Sequence, residues 1–329
     1  MNDSLLNTLN SIVANATPLV IASLGETITE RAGVINLSLN GSILLAALLG
    51  FVAAQTTGTV VAGIAVAMLV GALIALIVAV GAIELRQDQV AIGFVLTLLC
   101  ADLARFMGQP YARIPGPQMS VVPIPLLQDI PVAGRVFFMH DLFVYFSFIL
   151  VIVLWFWLFR TRPGLTLRAL GERPEAAFAR GANVNLMRYV YTMLGGALVG
   201  LAGAAYSLSV KAGWSSNPPM DGDGWIALAI VIFGGWHPFR VILGAYLFAG
   251  MRALASVIQR SPDIEIPLVL LNMLPWALMI LTLMLVSSGG IERLMRLLPR
   301  PLQNLMRSFL RSDPPKALGT AFADRERKA

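Results

Sequence analysis

The sequence predicts an all-α polytopic membrane protein with about nine transmembrane helices, some of them discontinuous. Hydrophobic residues make up 57% of the 329-residue chain, and the mean hydropathy is +0.76. Charged residues make up only 13%, whereas a soluble domain has about 25%. One water-soluble core cannot hide so much apolar surface, and long apolar runs recur along the whole chain.

Nine apolar segments are candidate crossings. They cover residues 5–28, 37–54, 59–83, 90–108, 140–159, 187–209, 225–236, 241–258 and 266–286. Two of these, 37–54 and 225–236, are short for a hydrocarbon core of about 30 Å. Thr17–Phe51 and Gly222–Met251 faintly repeat one pattern, an apolar run, a glycine-containing break and a second apolar run. We therefore interpret both short segments as halves of discontinuous units.

Basic residues gather on one side of the predicted topology. Residues 160–188 carry six arginines against two glutamates, and the tail from 290 carries seven arginines and two lysines against four acids. The positive-inside rule places both in the cytoplasm, and it places the N-terminus and loop 109–139 outside. One-sided basic charge is typical of membrane topology, so the pI near 9.9 does not indicate nucleic acid binding.

The predicted organisation is a transmembrane domain over 1–289 followed by two tail segments. In residues 290–312, leucine and methionine recur at helical spacing with arginines between them. This pattern predicts a basic amphipathic helix on the lipid of the inner leaflet, and a solvated basic tail is the alternative. Residues 313–329 are polar and charged, and we expect them to be disordered in the cytoplasm.

A polar, arginine-rich stretch interrupts the apolar runs at about 160–188. Its centre reads Gly-Glu-Arg-Pro-Glu-Ala-Ala-Phe. Pro174 suits the first turn of a short helix, Glu172 and Glu175 complement its positive end, Arg180 lies near its negative end, and Gly181 is a stop signal. Such a helix offers a docking surface to a protein outside the bilayer; an ordinary positive-inside loop is the alternative. The candidate coupling residues are Gly171, Glu172, Pro174, Glu175, Ala176, Ala177, Phe178, Arg180 and Gly181.

A second group of polar residues lies where membrane is expected. Pro18 and Gly25 bend or break the first span, and amides and hydroxyls then alternate between Gly33 and Gly41. Irregular polar backbone at this depth persists only where protein buries it or where it faces a watery cavity. The pathway candidates are Glu26, Asn36, Ser38, Asn40, Trp225 and Phe233. For Trp225, interfacial anchoring is the alternative role.

Local patterns also predict helix packing and charge pairing. Four glycines at neighbouring helical positions predict a close helix contact. They are Gly195, Gly196, Gly200 and Gly203. Asp102 and Arg105 lie one helical turn apart and are expected to neutralise each other. Arg252 has no acidic residue near it in sequence, so we expect it to face the interior, a partner or the interface.

These motifs resemble those of permease subunits in ATP-driven (ABC) importers. The stretch Glu-Arg-Ala-Gly-Val-x-Asn-Leu-x-x-x-Gly, which begins at Glu30, is similar to a signature of the branch that moves nucleosides and simple sugars. Residues 164–184 resemble the cytoplasmic coupling segment of these permeases. Further similar stretches begin at Asp88, Met193, Gly224 and Asn272. The chain departs from the branch at Asn40, where a glutamate is usual, so the resemblance assigns that position no role.

The resemblance implies a pathway-forming subunit in a bacterial inner membrane. It implies two ATPase subunits on the cytoplasmic side and an extracytoplasmic solute-binding protein. It also implies a second permease subunit, with a hetero-pair favoured over a homodimer. The expected cargo is a nucleoside or purine-like compound, then a simple sugar, and a riboflavin-like compound or a branched-chain amino acid stays open.

Enzyme motifs are missing from the sequence. It contains neither Gly-x-x-x-x-Gly-Lys-Ser/Thr nor His-Glu-x-x-His, so we expect no ATP hydrolysis by this chain. Two separated histidines and one cysteine predict no metal site or cofactor. The competing class is an ion-coupled secondary transporter, which is also built from broken helices. Such a carrier needs no coupling segment, and the predicted spans offer few acids that would carry protons.

Overall fold

The computed structural model describes residues 3–215, 217–260 and 314–322, together with five helical positions between 273 and 284. These ranges contain α-helices and no strand. The helices are α1 (Asp3–Arg31), α2 (Leu39–Thr57), α3 (Val60–Ile83), α4 (Gln89–Gly108), α5 (Ala133–Phe137), α6 (Leu142–Arg160), α7 (Arg162–Glu172), α8 (Pro174–Ala179), α9 (Val184–Ala205), α10 (Asp223–Phe233) and α11 (Pro238–Arg260). A π-helical turn, Tyr206–Val210, extends α9.

Seven of the described helices are long and apolar enough to cross a membrane, namely α1, α2, α3, α4, α6, α9 with its π turn, and α11. Helix α10 has 11 residues and spans about 16 Å, so it is a half-span, as predicted for 225–236. The crossing predicted at 266–286 lies outside the described residues except for isolated positions. The all-helical polytopic class is confirmed.

Helix α2 begins two residues later and ends three residues later than the predicted segment 37–54. It has 19 residues and is long and apolar enough to cross a membrane, which corrects the interpretation of 37–54 as one half of a discontinuous unit. The Thr56 hydroxyl donates to the carbonyl of Val52 at 2.9 Å, so these polar residues bond along the helix and do not end it. Gly58, with φ +71°, ends α2 in the left-handed conformation.

Helix α9 lies at the centre of the bundle and packs against α1, α2 and α3. Its glycines make close contacts with neighbouring backbones, as predicted. A Cβ atom on Gly200 would lie 2.0 Å from the carbonyl oxygen of Ala67, and one on Gly195 would lie 2.5 Å from that of Gly25. Helix backbones approach this closely only where side chains are absent.

The chain between α1 and α2 enters the bundle without helical structure. Residues 32–38 form turns and extended backbone. The Thr97 hydroxyl donates to the carbonyl of Leu37 at 2.8 Å, and the Gln89 side chain accepts from the Ile35 amide at 2.8 Å. Thr97 lies eight residues beyond the start of α4, about 12 Å along that helix. Helix α2 therefore begins inside the bundle, and protein buries the irregular backbone.

Helix α10 begins at the same place. The Asn40 Oδ1 atom accepts from the Gly222 amide at 2.8 Å, and a Cβ atom on Gly224 would lie 2.2 Å from the Asn40 nitrogen. From there α10 runs to a turn where Trp236 donates through Nε1 to Glu30 and accepts from Arg31 at 3.2 Å. The non-helical segment before α2 and the start of α10 thus meet at Asn40, which is buried in the bundle.

The loops gather at two opposite ends of the bundle. At one end the amide of Ala317 donates to the carbonyl of Gly171 at 2.7 Å, beside the end of α1. At the other end Arg135 pairs with Asp3 at 2.7 Å, next to the long loop between α4 and α6. The predicted coupling segment and the N-terminus therefore lie on opposite sides of the bundle.

Candidate functional site

The predicted short helix of the coupling segment is present as α8. Pro174 occupies its first turn, and Gly181 follows it with φ +84°, a left-handed conformation that ends helices. A second helix, α7, precedes it and was not expected. The Thr161 hydroxyl caps α7 by accepting from the Gly164 amide at 3.2 Å. Glu172 therefore ends α7 and does not open α8, which corrects the role that the sequence suggested for it.

The two sides of α8 have different surroundings. Pro174 and Ala177 are buried, and Ala177 is 4% exposed within a cluster of apolar residues from α1, α7 and α11. Ala177, one of the candidate coupling residues, therefore faces the bundle and not a partner. Residues three apart share one side of a helix, and this helix needs that side to attach to the bundle. The outward residues are Glu175, Ala176, Phe178, Ala179, Arg180 and Gly181.

Phe178 is the aromatic residue of the outward side and is 36% exposed. Its ring lies 5.7 Å from the ring of Phe322, centroid to centroid. Beside the two rings is a groove of about 520 Å³, whose lining includes Glu84, Asn183 and Tyr189. We call α7, α8 and this groove the coupling face. It offers apolar and charged groups together on a surface outside the membrane-spanning helices.

Residues 314–322 form part of the same end of the molecule. Disorder was expected over 313–329, and this is wrong for 314–322, which we call the C-terminal strap. Its Gly319 amide donates to the carbonyl of Gly33 at 3.1 Å, and Pro315 and Ala317 are buried. A polar composition suggested disorder, but these small apolar residues and the backbone bonds attach the strap to the bundle.

Arg188 joins the strap to the end of α1. Its side chain is 2% exposed, donates through Nε to the carbonyl of Ala32 at 3.1 Å, and donates through Nη1 to that of Thr320 at 2.9 Å. Its sequence position had marked it only as a cytoplasmic positive charge. The structure shows that it bonds one carbonyl just beyond the end of α1 and one carbonyl of the strap.

The second candidate region is the interior junction, which we define as Asn40, Asp221, Gly222, Asp223 and Gly224. Asn40 donates through Nδ2 to Asp221 at 3.0 Å, in addition to accepting from Gly222. Arg105 pairs with Asp221 and, as predicted, with Asp102 at 2.8 Å. The amide at position 40 thus connects the starts of two helices, α2 and α10.

Three other pathway candidates form a local hydrogen-bond network. Glu26 accepts from the Asn36 amide at 3.2 Å, and Asn36 accepts from the Ser38 hydroxyl at 2.6 Å. Each is at most 1% exposed. Burial explains how polar backbone is tolerated at this depth. In this conformation they hold the turn before α2, and their role in a pathway stays a prediction.

Trp225 and Phe233 lie at the two ends of α10. Both are partly buried. The Trp225 ring lies 6.2 Å from that of Phe94 on α4. This ring contact packs α10 against α4. The pathway role of both Trp225 and Phe233 stays a prediction.

The buried ion pair between Asp223 and Arg252 was missed by reasoning from the sequence. Asp223 is fully buried, and Arg252 binds both of its carboxylate oxygens, with Nη1 at 2.9 Å from Oδ2. The Tyr206 hydroxyl donates to the same carboxylate. An arginine without a nearby acid was the available signal, but its partner lies 29 residues earlier. A buried acid at membrane depth needs such pairing.

A cavity of about 700 Å³ lies beside this pair, towards the end of the bundle opposite the coupling face. Its lining includes Tyr206, Lys211, Trp214, Asp221, Asp223 and Arg252. Asn36, Ser38 and Asn40 are not part of the lining. Within the described ranges, no group of three or more His, Cys, Asp or Glu residues is placed to hold a metal ion.

A bundle of apolar helices, with the polar helices α7 and α8 at one end and two helices that begin in its interior, has the architecture of a multi-pass membrane protein. The chain matches, over residues 8–287, the family described as branched-chain amino acid transport system / permease component, and it belongs to that family. It is an inner membrane protein and a subunit of an ABC transport system, which also includes ATPase and substrate-binding components.

Curated relatives cover most of the chain. It is 36% identical over 298 residues to the nucleoside ABC transporter permease protein NupC of Lactococcus lactis, covering 86% of this chain and 94% of the relative. It is 37% identical to the guanosine ABC transporter permease protein NupQ of Bacillus subtilis, covering 82% and 88%. It is 40% identical to a protein named as a glucose ABC transporter permease, TsgC13 of Haloferax volcanii, covering 75% and 76%. No solved structure matches the chain.

Proposed function

We propose that this permease forms the solute pathway of an ATP-driven importer and that its ATPase partner binds the coupling face through Phe178 and the outward side of α8. The observation that carries the proposal is the division of α8 into two sides. Ala177 attaches the helix to the bundle, while Phe178 remains exposed on an extramembrane surface. A partner that pushes on this helix would therefore move it together with α7 and the end of α1.

The proposed assembly has two ATPase subunits at the coupling face and a solute-binding protein at the opposite end. The excess of arginine over residues 160–188 supports a cytoplasmic coupling face, with the N-terminus outside and the C-terminus inside. A second permease subunit completes the pathway, and we favour a hetero-pair. The apolar sides of α3 and α4 expose Leu69, Val95 and Leu99, and we expect them to face lipid and such a subunit.

The proposed cargo is a nucleoside or purine-like compound, with a simple sugar second. Two relatives are named as nucleoside or guanosine permeases and one as a glucose permease, which supports both classes. Nucleosides and sugars share hydroxyl groups that need polar partners in the membrane. The interior junction offers amide, carboxylate and backbone N–H groups at such a depth, where helices α2 and α10 begin.

We further propose that the interior junction is where access to the two sides alternates. Helices α2 and α10 both start there, and Asn40 bonds one start to the other. Residues 32–38 connect the interior junction to the end of α1, which lies beside the coupling face. A displacement of that face would therefore move Asn40 and change its contacts at the interior junction. Glu26, Asn36 and Ser38 would hold the connecting turn, and Trp225 and Phe233 would border the pathway.

The test of ATPase docking is the substitution Phe178→Asp, with Phe178→Leu as its control. The aspartate would place a charge where an apolar ring is expected to enter the partner. We expect normal amounts of folded protein, loss of ATPase co-purification and a fall in uptake of about 30-fold, typical of a binding hot spot. Phe178→Leu should keep most of the ATPase co-purification and most of the uptake. Full co-purification with well-folded Phe178→Asp would refute the docking site.

A further inference from the structure

The C-terminal strap contacts three different parts of the coupling end. The amide of Ala317 donates to Gly171 at the end of α7, and the amide of Gly319 donates to Gly33 where the chain leaves α1. Phe322 packs against Phe178 of α8. A nine-residue segment thus joins the coupling face to the start of residues 32–38.

The backbone approach between the strap and residues 32–38 is close. Gly33 has φ +91°, and a Cβ atom there would lie 2.8 Å from Nη2 of Arg188 and 3.3 Å from the carbonyl oxygen of Ala317. Gly319 has φ +76°, and a Cβ atom there would lie 2.9 Å from Cδ1 of Ile35. Both positions need a glycine for conformation and for space. The strap therefore fits this site through its backbone and not through an adjustable side chain.

Arg188 adds a buried charged group to the same connection. Its guanidinium bonds the carbonyl of Thr320 in the strap and the carbonyl of Ala32 at the end of α1. Hydrogen bonds from a charged donor are stronger than neutral ones, and here one acceptor is the first residue of 32–38 and the other lies in the strap. The strap and the end of α1 are expected to move as one unit.

We propose that the C-terminal strap transmits displacement of α8 to residues 32–38 and so to the interior junction. This inference rests on the proposed ATP-driven function. The connection runs from Phe178 to Phe322, along the strap to Gly319, across its bond to Gly33, and then to Asn40. It acts in parallel with the direct approach of Gly171 to the carbonyl of Arg31, where a Cβ atom would lie 2.4 Å away.

The proposal predicts uncoupling when the strap is displaced. The variants are Gly319→Val, which cannot keep φ +76° beside Ile35, and a chain truncated after residue 313. The control is Gly58→Val, because Gly58 has φ +71° with open space around it and lies at the opposite end of the bundle. This control carries the same backbone strain without touching the strap.

Each variant is reconstituted with the ATPase subunits and the binding protein, and uptake of labelled guanosine or glucose is measured per ATP hydrolysed. We expect both strap variants to hydrolyse ATP but to transport at least about fivefold less solute per ATP, the size of a typical coupling loss. Gly58→Val should match the wild type. An unchanged ratio in the strap variants, even with lower thermal stability, would show that the strap only stabilises the fold.

A second readout does not depend on the solute. A Leu37→Cys probe in a Cys100→Ala background reports the surroundings of residues 32–38 through its rate of reaction with a hydrophilic maleimide. We expect trapped nucleotide to change this rate in the wild-type chain and in Gly58→Val, but not in the strap variants. The same change in all of them would overturn the proposal. Failure of the wild type to take up either solute with ATP would instead count against the proposed function, and the probe would still test the strap.

Discussion

The interior junction and the coupling face use polar groups in opposite ways. At the junction, Asp223 is fully buried and neutralised by Arg252, and Asn40 uses both ends of its amide. On the coupling face, Glu175 and Arg180 are exposed on either side of Phe178. Groups of the first kind bind one another inside the bundle and hold its helices together, so their loss damages the fold. Groups of the second kind are available to a partner, so their loss damages coupling.

The largest effect is expected when a charge is left alone at the junction. Arg252→Met removes the partner of fully buried Asp223, and breaking such a pair typically costs about 3–5 kcal/mol. We expect much lower yield and a clear fall in unfolding temperature in detergent. The double variant Asp223→Asn with Arg252→Gln removes both charges and should recover part of the loss. Wild-type stability of Arg252→Met would contradict the buried pairing.

The next effect separates the two sides of α8. Ala177→Arg forces a long cation into an apolar cluster and should destabilise the protein by about 2–4 kcal/mol, through overpacking and an unpaired charge. The adjacent Ala176→Arg lies on the exposed side and should change stability by less than about 0.5 kcal/mol. Thermal unfolding of the two variants measures the difference. Equal stability would mean that α8 is not attached through Ala177.

A smaller effect is expected from acid at the turn after α10. Burial, together with the charges of Arg240 and Arg31, lowers the pKa of His237 to about 4. The unfolded chain protonates this histidine near pH 6.5, so the folded state loses stability as the pH falls from 6.5 towards 4. His237→Gln should show a flatter dependence of unfolding temperature over that range. An identical dependence in the two proteins would contradict this origin.

Local sequence patterns predicted much of the fold. Apolar runs located the helices that cross, and the proline and glycine around α8 located its start and end, because these signals act within one helical turn. The end of α2 was placed three residues too early, since its last threonines look like a loop but bond along the helix. The interior chain break at 32–38 was predicted from polar residues at membrane depth.

Long-range contacts were not predictable from the same patterns. The pairing of Arg252 with Asp223, the burial of Ala177 and the attachment of the strap each depend on segments far apart in the chain. A polar tail with few apolar residues has the composition of a disordered segment, and only the surface it meets allows it to order. Composition and periodicity do not report such surfaces.

The smallest perturbation tests burial at the chain break directly. In a Cys100→Ala background, Ser38→Cys should react slowly with a hydrophilic maleimide in the resting state, because Ser38 is fully buried. Ser11→Cys is the matched control, since Ser11 lines the cavity at the opposite end of the bundle and should react at least about tenfold faster, as expected for an exposed thiol. Equal reaction rates for the two cysteines would mean that residues 32–38 are open to water without ATP.

The energy source of uptake tests the central claim most directly. The purified chain is reconstituted in vesicles with and without its ATPase, second permease and binding-protein partners, and uptake of labelled guanosine or glucose is followed. We predict uptake only with the partners and ATP, and no change when an ionophore dissipates proton and sodium gradients at fixed ATP. Uptake by this chain alone, driven by an ion gradient and stopped by the ionophore, would contradict the account and identify a secondary transporter.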